Sequence, residues 1–152
     1  MRIILACALA GILSVPAKAQ SLKEQLVGAW TLVSCGEFNG VKLPWCASPN
    51  GIQILDARGR YMTTIAERGR PKFTNPRAIP RDAHPAEEYK AAAMGLFAQF
   101  GTWSVNEAEK TIAYHVDGAL FPNIEGTDAK VTISLSGDEL KIGSGVWQRM
   151  KK

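Results

Sequence analysis

From Trp30 onward, apolar and polar residues alternate in short runs broken by glycine, proline and asparagine. Trp30–Cys35, Ile52–Leu55, Tyr61–Ile65, Gly101–Val105, Thr111–Val116, Ala129–Leu135, Glu139–Ile142 and Val146–Met150 are each of strand length, and most are rich in β-branched or aromatic residues. Asp56–Arg60 joins the second and third runs as a hairpin, with Gly59 where the turn needs a positive φ. Ahead of the first strand, Ser21-Leu22-Lys23-Glu24 is a capping box that opens one helical turn, closed by Gly28. Gly36–Pro49 reads as a loop. Glu67–His84 carries Pro71, Pro76 and Pro80 and no sustained period, so it predicts a functional flap or a mobile loop rather than a passive connection. Pro85 suits a first helical position, Glu87 and Glu88 favour the dipole of a first turn, and Tyr89, Ala93, Leu96, Phe97 and Phe100 recur at helical spacing. The pattern predicts an all-β, mostly antiparallel barrel or sandwich of eight strands with one inserted α-helix.

Met1–Ala19 departs from this pattern. Arg2 precedes an apolar run from Ile3 to Val15, which is too short to span a bilayer comfortably. Pro16 ends the run, and Ala17-Lys18-Ala19 offers small residues for a signal peptidase. Residues 1–19 are therefore expected to be a signal peptide cut near Ala19-Gln20, leaving a periplasmic or secreted domain over 20–152. The formal charge of the whole chain is +4. The leader takes Arg2 and Lys18 with it, which lowers that to +2 and removes bulk basicity as an argument for nucleic acid. Cys7 also leaves, so Cys35 and Cys46 are expected to form a disulfide in an oxidising compartment. No metal site is expected, because His84 and His115 lack zinc-type spacing. No cofactor is expected either, since no Walker or dinucleotide fingerprint occurs.

Five blocks carry a resemblance. Leu26–Trp30 (L-x-G-x-W), Glu87–Tyr89, Phe100–Val105, His115–Thr127 and Trp147–Arg149 together resemble the lipocalin-like domain family of small bacterial proteins. The resemblance covers most of the chain after the leader and implies an eight-stranded lipocalin-like barrel. It further implies that Trp30 closes one end, with Arg149 laid over its ring as a cation–π contact. It leaves the activity open.

Candidate chemistry centres on Tyr114–Asn123. Residues i and i+2 of a strand share a face, so His115 and Asp117 can point the same way, and a carboxylate beside a histidine fixes its tautomer for general-base work. No nucleophile motif accompanies them, so a ligand-orienting role weighs more than an isomerase or hydrolase. The second feature is charge. Arg58, Arg60, Arg68, Arg70, Lys72, Arg77 and Arg81 face only Glu67, giving this segment +6 and the rest of the 20–152 domain −4. Arg58, Arg68, Arg70 and Arg77 are expected to form a basic rim, suited to an anionic ligand, an anionic membrane surface or a protein partner. The leading expectation is an exported barrel binding a small apolar or lipid-like molecule, in neutral or anionic form. Tyr89, Phe97, Trp103, His115, Phe121 and Asn123 are its expected contacts, and Trp30 and Arg149 its structural pair. Barrel enzyme and protein-binding module stand as the alternatives.

Overall fold

The computed structural model describes residues 20–37, 40–75 and 84–151. Residues 1–19, where the leader is expected, and Arg77 and Arg81 lie outside the described residues. Helix α1 (Leu22–Leu26) opens on the expected capping box: Glu24 N donates to the Ser21 hydroxyl at 3.2 Å, and Ser21 N donates to the Glu24 carboxylate at 2.8 Å. Strand β1 (Gly28–Cys35) follows, then a 3-10 turn at Pro44–Cys46. Strands β2 (Pro49–Leu55) and β3 (Arg60–Glu67) form the predicted hairpin, with Gly59 at φ 85°. Helix α2 (Ala86–Met94) precedes β4 (Leu96–Asn106) and β5 (Thr111–Ala119). A 3-10 turn at Pro122–Ile124 leads to β6 (Asp128–Ser136), β7 (Glu139–Ile142) and β8 (Gly145–Arg149). Each strand pairs antiparallel with the next, and β8 returns to β1, so the eight strands close into a barrel.

The helix is shorter than its spacing predicts. It stops at Met94, and Leu96 and Phe97 pair with Ala66 and Ile65 of β3 instead. Gly95 sits at the junction, buried, with the Arg70 side chain 2.6 Å from where a Cβ would stand. The i, i+3, i+4 recurrence of Leu96, Phe97 and Phe100 therefore belongs to a strand, and none of the α2 residues is buried.

One end of the barrel is plugged. Leu26, Trp30, Leu55, Ile112 and Leu140 are its fully buried side chains. The Trp30 indole donates to Leu26 O at 2.9 Å, and the Arg149 guanidinium lies 4.1 Å from the Trp30 ring. Arg149 also donates to Val27 O at 3.1 Å and to Gln25 O, and pairs with Asp138 at 3.3 Å. Its charge is thus held beneath the indole by carbonyls and one carboxylate, as the resemblance implies. Trp103 belongs to this end too: its N–H groups donate to Gly59 O at 2.8 Å and, from the indole, to Asp56 O at 3.1 Å.

The other end, the mouth, gathers the β1–β2 loop, the β3–β4 connection with α2, and the β5–β6 loop. Between the two ends, beside Trp30, which pairs with Gln53, the alternation of β2 and β3 inverts. Gln53 and Thr63 are buried, whereas Ile54 and Met62 are 38% and 45% exposed. Register explains this, because Gln53 pairs with Thr63 and Ile54 with Met62, and paired residues share a face. The otherwise apolar interior thus holds a polar layer, and Ile54 and Met62 stand on the outer wall.

Candidate functional site

The polar layer is built by β2, β3 and β5. Thr63 donates its hydroxyl proton to Gln53 Oε1 at 2.9 Å, and Tyr114 donates to the same oxygen at 3.4 Å. The rings of Tyr61 and Tyr114 lie 4.6 Å apart, tilted. Two polar atoms of this layer, Gln53 Nε2 and the Tyr61 hydroxyl, are buried and have no hydrogen-bond partner. A buried polar group without a partner costs about 1–3 kcal/mol. Burial pushes the Tyr61 hydroxyl up to about 12, with the Asp117 carboxylate adding to the effect, and burial raises Tyr114 as well.

This has a consequence for alkaline stability. An unfolded tyrosine ionises near pH 10, so between about pH 10 and 12 the unfolded chain sheds a proton that native Tyr61 retains. The stability linked to Tyr61 is fully present below pH 10 and is lost as the pH rises toward 12, by roughly 2–3 kcal/mol. Urea unfolding at a series of pH values checks this: the alkaline decline should flatten in Tyr61→Phe.

Above the polar layer, Trp45 covers the mouth. Its ring stacks on Phe97 at 5.5 Å between centroids and tilts against Phe121 at 6.0 Å. Phe97 pairs with the buried Ile65 and so faces inward. The Cys35–Cys46 disulfide, with Cα atoms 5.4 Å apart, ties the loop that carries Trp45. Arg68 N donates to Ser48 O at 3.0 Å and joins that loop to the end of β3.

The expected contacts are only partly brought together. Phe97 and Phe121 meet, through Trp45. Trp103 is packed into the plugged end instead. Tyr89 lies on α2 against Phe73 at 5.3 Å and His84 at 5.7 Å, and Asn123 is exposed in the 3-10 turn after β5. His115 and Asp117 do share a face, but it is the outer one, because Tyr114 and Val116 are the buried residues of β5. There His115 Nδ1 lies 2.9 Å from Asp128 and Nε2 lies 3.8 Å from Asp117. His115 is therefore no lumen contact, contrary to expectation.

The basic rim is divided. Arg58 lies in the β2–β3 turn and Arg60 at the start of β3, paired with Asp117 at 2.9 Å, while Arg68 and Arg70 follow the end of β3 at the mouth. A strand of eight residues puts about 25 Å between the two groups. The described part of the proline-rich connection is fastened to α2. Arg70 donates to Ala92 O at 3.2 Å, Thr74 N donates to the Glu88 carboxylate at 3.2 Å, and Phe73 packs on His84 at 4.5 Å.

Sequence reasoning missed Gln53, Thr63, Tyr61, Tyr114 and Trp45. The available signal was the polar Gln53 set between Ile52 and Ile54, which strand alternation assigns to the wrong face. Among the described residues no three His, Cys, Asp or Glu side chains converge as a metal site. Two hollows lie outside the lumen. One, of about 370 Å³, adjoins α1 and Ile133, and the other, of about 490 Å³, lies on the outer wall beside Met62 and Phe100.

A family model described as a lipocalin-like domain matches residues 27–151, from the residue before β1 to beyond β8. No curated protein matches the chain.

Proposed function

We propose that this chain, which belongs to the lipocalin-like domain family, binds a small, largely apolar molecule inside its barrel, beneath Trp45 and against the Gln53–Tyr61 layer. Such a barrel has interior space for its own side chains or for one small ligand. The observation that carries the reading is the pair of unpartnered buried atoms, Gln53 Nε2 and the Tyr61 hydroxyl. A folded protein tolerates such groups where a ligand completes their hydrogen bonds. The stacked Trp45, Phe97 and Phe121 supply an apolar lining at the mouth, and the disulfide keeps Trp45 in place. Export fits the same picture: the leader-like residues 1–19 precede a domain whose two remaining cysteines are bridged. His115 and Asp117 stand on the outer wall, outside the space this reading uses.

The test is native mass spectrometry of the protein purified from the periplasm, followed by solvent extraction. A stoichiometric small molecule is expected. Tyr61→Phe removes a hydroxyl that has no partner in the protein, so the empty protein should gain about 1 kcal/mol of stability while ligand retention falls. A bare protein mass, together with a loss of stability in Tyr61→Phe, would reject the reading.

A further inference from the structure

The arrangement of donors and charges narrows the ligand further. Gln53 Oε1 already accepts two hydroxyl protons, from Thr63 and Tyr114. Those two bonds orient the amide and leave the Nε2 side, a donor, without an acceptor. The Tyr61 hydroxyl, next to the Tyr114 ring, is likewise free to donate. The layer therefore lacks an acceptor from outside the protein, and it can use more than one lone pair.

Charge decides between acceptors. Among the described residues no lysine or arginine is buried. Three arginines around the barrel are committed elsewhere, and Arg68 is exposed. Arg60 pairs with Asp117 on the outer wall, Arg70 donates to Ala92 O at the lip, and Arg149 is held under Trp30 at the far end. A carboxylate or phosphate drawn down to Gln53 would lose its hydration with no cation to replace it, a penalty that two neutral donors do not offset. An ammonium could donate to the Tyr61 oxygen but would leave Gln53 Nε2, a donor only, without an acceptor. A ketone, ester or amide oxygen has two lone pairs and no charge, so it satisfies both groups.

Resting on the lumen-binding reading above, we infer that the barrel interior is a site for a neutral ligand bearing a carbonyl-type oxygen, held by Gln53 Nε2 and the Tyr61 hydroxyl, and that it discriminates against anionic headgroups. The basic residues at the mouth then lie outside the site. An alcohol is the intermediate case, because its hydroxyl can accept from Gln53 Nε2 but its proton must then compete with that of Tyr61 or be taken by the Tyr61 oxygen.

The experiment uses the mature, disulfide-bonded protein, stripped of bound molecules on a hydrophobic resin. Three probes of equal chain length, 2-octanone, 1-octanol and octanoate, are titrated at pH 8 by tryptophan fluorescence and by calorimetry. Binding of 2-octanone is expected to be about tenfold or more tighter than that of octanoate, with 1-octanol between them. Tyr61→Phe and Gln53→Met should each weaken 2-octanone binding about tenfold and change octanoate binding little. Lowering the pH to 4, where octanoic acid is mostly neutral, should strengthen its binding. If octanoate or 1-octanol binds at least as tightly as 2-octanone, the ligand class is wrong while lumen binding stands. If 2-octanone binds and neither substitution alters it, the assigned donors are wrong. If no probe binds and the native mass spectrum shows bare protein, the lumen-binding reading itself falls.

Discussion

Replacing Trp30 with alanine is expected to destabilise the protein by about 3–5 kcal/mol, the range for removing a large buried aromatic side chain. Trp30 is fully buried and is the largest side chain of the plug. Three losses add. The ring's packing against Leu26 and its neighbours disappears and leaves a cavity at the closed end. Leu26 O loses its indole donor, which sits at 2.9 Å. Arg149 keeps its carbonyl and Asp138 contacts but loses the aromatic face 4.1 Å away that covers it. A stability of 5–15 kcal/mol is ordinary for a domain of this size, so the variant should sit close to its unfolding threshold at growth temperature. Urea unfolding followed by circular dichroism measures it. Trp30→Phe keeps most of the packing and should cost much less, about 1–2 kcal/mol. A loss below 1 kcal/mol in Trp30→Ala would mean that the barrel end is closed by something else.

Gly101→Ala is the second substitution with a large expected effect. A Cβ at Gly101 would lie 1.9 Å from His115 O and 2.9 Å from Asp117 N. Both are backbone atoms of β5, so no side-chain rotation relieves the clash, and the two strands must separate. The contact arises because the register of β4 and β5 shifts between Phe100 and Gly101: Phe100 faces Gly118 and Gly101 faces Val116, with Asp117 as the extra residue. Separation breaks ladder hydrogen bonds in the middle of the longest strand pair. The cost should reach roughly 3 kcal/mol or more, at or above the upper end for overpacking. Gly118→Ala is the control. Its Cβ would meet the Phe100 ring at 2.6 Å, but Phe100 is 49% exposed and free to swing away. Its cost should be well below that of Gly101→Ala, and equal costs would contradict the close approach described for Gly101.

Local signals carried the fold. Ser21 and Glu24 announce a helix start within four residues, and Gly59 announces a hairpin within five; in both cases all the interacting groups are neighbours in the chain. The eight strands followed from alternation and turn residues in the same way. Phe97 and Phe100 misled because a short apolar run fits helix and strand alike, and what decides is Gly95 packed under Arg70, a contact from another element. His115 and Asp117 illustrate a different limit. Alternation puts them on one face, but which face is inward depends on register with β4 and β6, and Tyr114 and Val116 took the interior. The partner that lies 2.9 Å from His115, Asp128, comes from the next strand. The candidate site was the least legible part. Gln53 and Thr63 oppose the rule that polar residues face out, and Trp45 lies in a loop with no period. Its meaning comes from a disulfide and from two phenylalanines that are far away in sequence.

The seam between β1 and β8 fixes when the barrel can be completed. Arg149 donates across it to Val27, 122 residues earlier in the chain. The first strand therefore stays without its last partner until the far end of the chain is available to fold. Local hairpins such as β2–β3 can form during that interval, whereas β1 keeps one side of its backbone open and Trp30 lacks its arginine. Closure is therefore a late event governed by the longest loop in the molecule, because every other strand pairing joins neighbours in the sequence. Until the seam closes, β1 and β8 are the two edges most exposed to mispairing.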